Sequence, residues 1–145
     1  MLHIAGNTVL NVAIFSWAIA QILKVIFDYW KKKKIDFRRL VGAGGMPSSH
    51  SAFVCSLATG VALVEGWHSS IAALAICFAV VVMFDAAGVR YAAGQQAAVL
   101  NKIVEEYSQL GRIQNKRLKE LLGHTPFEVF VGALLGIAFA FLFLG

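Results

Sequence analysis

The sequence predicts an all-α fold: a polytopic membrane helix bundle of about four transmembrane helices plus an amphipathic interfacial helical segment. Three observations predict it. Of 145 residues, 59% are hydrophobic and only 14% charged, whereas soluble domains lie nearer one-quarter charged. Four apolar stretches approach the roughly 20 residues that a membrane helix needs. All thirteen Lys and Arg fall into two segments, Lys24–Arg39 and Arg90–Lys119. The length suits one membrane domain, 1–145.

The first stretch runs from about 8 to 29. It lacks the basic flank and cleavage site of a signal peptide, so it reads as a retained span. The second, about 51–64, is short and holds Ser56, Thr59 and Gly60. Small and weakly polar residues of that kind favour the inside of a bundle over a lipid face. The third runs over about 71–89 and the fourth over about 127–144. Between them lies a polar segment, about 91–122, in which Leu100, Ile103, Val104, Tyr107 and Leu110 recur at helical spacing. Lys102, Glu105 and Glu106 are interleaved, as in a helix lying on a membrane surface or against a bundle. Gly111 is expected to interrupt it, and Leu118, Leu121 and Leu122 to begin a second apolar stripe.

Charge sets the orientation. With four spans, both basic segments fall on one side, while the N-terminus, the Glu65–Ser70 turn and the C-terminus carry no Lys or Arg. The positive-inside rule puts the basic face in the cytoplasm and both termini opposite. The net charge of +5 does not imply nucleic acid, because the basic residues flank apolar spans and suit anionic head groups. Cys55 and Cys77 each sit in an apolar run without a Cys-x-x-Cys pair. They are expected to pack between helices rather than to form a disulfide or a zinc site.

Polar motifs gather at the basic side. Of the four histidines, only His50 and His124 share it; His3 and His68 fall at the other. In Gly44-Gly45-Met46-Pro47-Ser48-Ser49-His50-Ser51-Ala52, Pro47 and the serines look like a helix start. Such a terminus offers free N–H groups to an anion, though it also fits a plain capping turn. No Gly-x4-Gly-Lys-Ser/Thr phosphate loop is present. In Gly123-His124-Thr125-Pro126-Phe127-Glu128, Pro126 marks another helix start and Glu128 follows His124 by four residues. A carboxylate there can hold one imidazole nitrogen and leave the other as a nucleophile; an ordinary i, i+4 contact fits equally. Asp85 sits near the end of an apolar span, where charge is costly unless paired or functional. Arg90 beside it can grip phosphate oxygens bidentately, or snorkel. Gln21 and Lys24 lie near the basic end of the first span.

These residues resemble the superfamily of type 2 phosphatidic acid phosphatases and vanadium haloperoxidases. Pro47-Ser48-Ser49-His50 is similar to its Pro-Ser-Gly-His motif, with Ser for Gly. His124-x3-Glu128 is similar to the end of its Ser-Arg-x5-His-x3-Asp motif, with Glu for Asp. Arg90 resembles that motif's arginine, with a long insertion before His124. The Lys-x6-Arg-Pro motif is matched by Lys31–Arg38 and Lys32–Arg39 in spacing but without the Pro, and Lys24 could stand in for its lysine. More closely, the whole chain is similar to the divergent acid phosphatase/vanadium-dependent haloperoxidase-related family of bacteria and plastids. The matching hallmarks are Ala20-Gln21-x-x-Lys24, residues 44–52, Asp85-Ala-x-Gly-Val-Arg90 with Ala93-Gly94-x-Gln96-Ala97, and Leu122-Gly-His-x-Pro-x-Glu-Val129.

The resemblance implies a metal-independent phosphatase, with no cofactor, in a bacterial inner membrane or plastid membrane. Its substrate would be a lipid phosphate or diphosphate at the cytoplasmic leaflet. His124 would be the nucleophile, Glu128 its orienting carboxylate and His50 the proton carrier. Arg90, Ser48, Ser49, Lys24, Arg38 and Arg39 would hold phosphate, with Asp85 and Gln21 in support. A non-catalytic lipid-phosphate binding or transport protein of the same fold is the alternative. Membrane lipids are expected neighbours, and a homodimer would supply spans that the superfamily's lipid enzymes have and this chain lacks.

Overall fold

The computed structural model describes residues 6–33, 45–109, 118 and 123–145. Five helices lie among them and no strand: α1 (Thr8–Lys32), α2 (Ser49–Glu65), α3 (Ser70–Ala87), α4 (Val89–Gln109) and α5 (Pro126–Leu144). The all-α expectation holds.

α1 starts at Asn7, whose side chain accepts from the Leu10 N–H at 3.0 Å, and ends at Lys33 in the left-handed region. Its inward stripe is Val9, Val12, Ala13, Ser16, Ala20 and Lys24, spacings that keep one face of a 3.6-residue helix on the core. α2 is the centre of the bundle and packs against α1, α3 and α5. Its alanines, serines and Gly60 let three neighbours approach at once. Its 17 residues rise only about 25 Å, short of the roughly 30 Å hydrocarbon core. The stretches Thr8–Trp30, Ser70–Tyr107 and Pro126–Leu144 are long and apolar enough to cross a membrane, while Ser49–Glu65 is apolar but shorter. The second expected span is therefore a sheltered central helix that its neighbours surround.

α3 buries one line of alanines, Ala72, Ala79 and Ala86, and leaves Leu74, Val81 and Phe84 outward. An apolar surface of that extent is suited to lipid rather than to water. Cys55 is buried with its Sγ 3.5 Å from Met83 Sδ, but Cys77 is exposed. The expectation that both pack between helices fails for Cys77, because it lies on the outer face of α3. α3 stops at Gly88, whose N–H donates to the Phe84 carbonyl, and α4 begins at once.

On α4 the inward residues are small or polar, namely Gly94, Ala97 and Asn101, while Val99, Leu100, Ile103 and Tyr107 face out. The expected apolar stripe thus points away from the bundle rather than against it. Leu110, Gly111, Leu121 and Leu122 lie outside the described residues. The Asn101 amide pairs with the backbone of Leu118 at both ends. Nδ2 donates to the Leu118 carbonyl and the Leu118 N–H donates to Oδ1, each at 2.8 Å.

α5 opens with a capping box. The Glu128 N–H donates to Thr125 Oγ1 at 3.3 Å, and the Thr125 N–H donates to Glu128 Oε2 at 3.0 Å. Farther along, a Cβ on Gly132 would strike the carbonyl oxygen of Ser48, and one on Gly136 that of Ala52. The two glycines let α5 lie directly on the α2 backbone.

Candidate active site

Four parts of the chain converge at one end of the bundle: α1 around Lys24, the starts of α2 and α5, and the α3–α4 junction. Backbone hydrogen bonds tie the last three together. The Ser48 N–H donates to the Glu128 carbonyl at 3.0 Å, and the His124 N–H donates to the Ala86 carbonyl at 3.0 Å. Gly123 has φ +94, and a Cβ there would strike the backbone of Tyr91 and Arg90. Only glycine lets the chain before α5 press so closely on the start of α4, and this contact sets His124 beside Arg90.

His124 is 3% exposed. Its Nδ1 lies 3.3 Å from Glu128 Oε2, and its Nε2 has no hydrogen-bond partner among the described residues. The separation matches a hydrogen bond, but the alignment is imperfect, so the pair is held mainly by charge and position. Glu128 is itself held by the Thr125 N–H and by the backbone of Gly45. Gly45, at φ +95, lies over the Lys24 side chain, so that a Cβ would come within 3.2 Å of Lys24 Cγ.

The His50 ring stands opposite, its centroid 6.2 Å from that of His124 and its plane inclined by 62°. The charges of Lys24, Arg90 and Asp85 all act on it. Arg90 is paired through Nε with Asp85 Oδ2 at 2.5 Å, which leaves the guanidinium four further N–H donors. His50, Asp85, Arg90, Gly123 and His124, with Val82 and Ala86, line a recess of about 40 Å³. One water centre requires roughly 10–15 Å³, so the recess suits a small polar group rather than a whole lipid.

The remaining candidates stand farther back. Lys24 is 2% exposed and buried in the bundle. Ser48 and Ser49 are buried in the turn before His50, and Ser48 Oγ accepts both the Ser51 N–H and the Ser51 hydroxyl. None of these three lines the recess. Gln21 is half-buried on α1, about a turn before Lys24. Arg38 and Arg39 lie outside the described residues. No group of His, Cys, Asp and Glu arranged to hold a metal ion occurs among the described residues.

Sequence reasoning passed over Gly123 and Gly136 as working parts of the site. The signal for Gly136 was present in Gly132-x3-Gly136, a spacing that lets helices touch backbone to backbone. The signal for Gly123 was its place between Leu122 and His124, at the close of a polar segment.

The comparisons with known proteins agree with this architecture. An uncharacterized membrane protein of Bacillus subtilis (strain 168), YuiD, is 46% identical over 129 residues, covering 81% of this chain and 82% of that protein. No solved structure matches the chain. A family model described as the Divergent PAP2 family matches residues 5–139. With nearly its whole length inside that match and a membrane-protein relative close to half identical, the chain belongs to the Divergent PAP2 family.

Proposed function

We propose that the protein is a membrane phosphatase that hydrolyses a lipid phosphate or diphosphate through a phosphohistidine intermediate. The observation that carries this reading is His124: a buried imidazole with a carboxylate at Nδ1 and an unpartnered Nε2, on a recess shared with His50 and Arg90. Buried polar nitrogens normally have partners, and one left open beside a cationic recess is suited to attack.

In the first step Nε2 of His124 attacks phosphorus, a P–N bond forms and the P–O bond to the alcohol breaks. His50 gives its proton to the departing oxygen. Glu128 holds Nδ1–H and balances the charge that His124 gains. In the second step water attacks phosphorus, His50 takes the water's proton, and the P–N bond breaks to release phosphate. Arg90 holds the phosphoryl oxygens, and Asp85 fixes the guanidinium through Nε. Lys24 adds positive field from behind. Arg38 and Arg39 are candidates for further oxygen contacts, while Ser48 and Ser49, which lie off the recess, shape the turn that carries His50. The site belongs to the cytoplasmic leaflet by the placement of the basic residues.

Purified protein incubated with phosphatidate, phosphatidylglycerophosphate, polyprenyl diphosphate and a long-chain alkyl monophosphate tests the reading. Phosphate release is expected, abolished by His124→Ala and reduced about 10²–10⁴-fold by His50→Ala. Lipid binding with no release from any of the four would instead make it a lipid-phosphate binding or transport protein.

A further inference from the structure

Two hollows meet at His50. One is the polar recess already described. The other is a groove of about 230 Å³ between α1 and α2, lined by Ile14, Trp17, His50, Phe53 and Val54. Among the described residues, His50 alone lines both. The Ser16 hydroxyl donates to the Ala52 carbonyl at 3.3 Å and so sets the two helices in register. Val54 lies one helical turn beyond His50, and the groove therefore runs from the recess toward the middle of the bundle.

We infer that this groove holds the hydrocarbon of the substrate, and that it selects the monophosphate of a long-chain alcohol, with the chain attached directly through the ester oxygen. The inference rests on the hydrolase reading for the name of the substrate and on the two hollows for its shape. Among the described residues, the Trp17 indole N–H is the only polar side-chain group on the groove wall apart from the His50 ring. A glycerol-linked lipid would bring ester carbonyls into that wall, where unpaired polar groups are costly. A diphosphate would bring a second charged phosphate to the same place, at greater cost still. A bare methylene chain incurs neither cost and gains from apolar burial. The volume falls below the roughly 300–1,000 Å³ of pockets that take compact drug-sized ligands, which fits a slender chain. His50 at the junction is then placed where the ester oxygen must lie, between the phosphoryl group in the recess and the first carbons in the groove. The proton it gives completes the hydroxyl of the departing alcohol.

The test uses a linear alkylphosphonate, which cannot be hydrolysed, carrying a photoreactive diazirine within the first few carbons. It is presented to the full-length protein in phosphatidylcholine nanodiscs, and adducts are mapped by mass spectrometry. Adducts are expected on α1 and α2 around Trp17 and Phe53. They should fall at least about tenfold when orthovanadate occupies the recess, the change that a 1.4 kcal/mol loss of binding gives. Ile14→Trp, which fills the groove, should remove them while leaving orthovanadate binding unchanged. Adducts on α3 or α5, adducts indifferent to orthovanadate, or no adducts overturn the inference. Release of phosphate from a water-soluble aryl phosphate is measured in parallel. Release without groove adducts overturns the groove alone. Vanadate-sensitive groove adducts with no release from any ester support the groove and remove the hydrolase reading.

Discussion

Glu128 does three jobs with one carboxylate. It closes the α5 capping box on Thr125, it meets the backbone of Gly45, and it faces Nδ1 of His124. Glu128→Gln separates them. The amide oxygen still accepts the Thr125 N–H, so the fold should lose only about 1 kcal/mol, read by thermal unfolding. On the proposed mechanism, the imidazolium formed during attack loses its counter-charge, so phosphate release should fall at least about 10²-fold. Equal losses in stability and rate would make Glu128 a helix cap and nothing more. The same pairing was half visible in the sequence, because an i, i+4 His–Glu pair at a helix start is local. Lys24 itself stood out in the sequence, but its burial did not, since that depends on which face of α1 meets Gly45, a residue twenty-one positions away.

The site depends on how α5 crosses α2. Gly132 and Gly136 rest on the carbonyls of Ser48 and Ala52, so the start of α5, with His124 just before it, is held against the start of α2, with His50. Gly136→Ala forces the helices apart. It should cost about 1–3 kcal/mol, the usual range for overpacking, and phosphate release should drop with it. Gly6→Ala is the control, because nothing lies within 4 Å of a Cβ there, and it should leave both unchanged. Helix starts were legible because caps are local chemistry: Ser48 before α2 and Thr125-Pro126 at α5 announce themselves. The shortness of α2 was legible as well. Its central position was not, since packing partners follow from long-range contacts that no window of sequence contains.

Across the whole molecule, the polar groups of the site gather at one end of a bundle whose outer faces are apolar. By the positive-inside rule, the distribution of Lys and Arg leads us to propose that this end faces the cytoplasm. In a chain with Cys55 and Cys77 replaced by Ala, a single cysteine at Asn7 should react with a membrane-impermeant thiol reagent added to intact spheroplasts. One at Lys33 should react only after lysis. The reverse pattern would turn the site to the other leaflet. The broad architecture was readable from hydropathy and charge alone, because a bilayer constrains both so strongly.

The amide of Asn101 clasps the backbone of Leu118 at both ends, and it thereby sets how far apart those two points can be. Asn101→Ala would remove both bonds at once, which should cost about 0.5–1.5 kcal/mol for each.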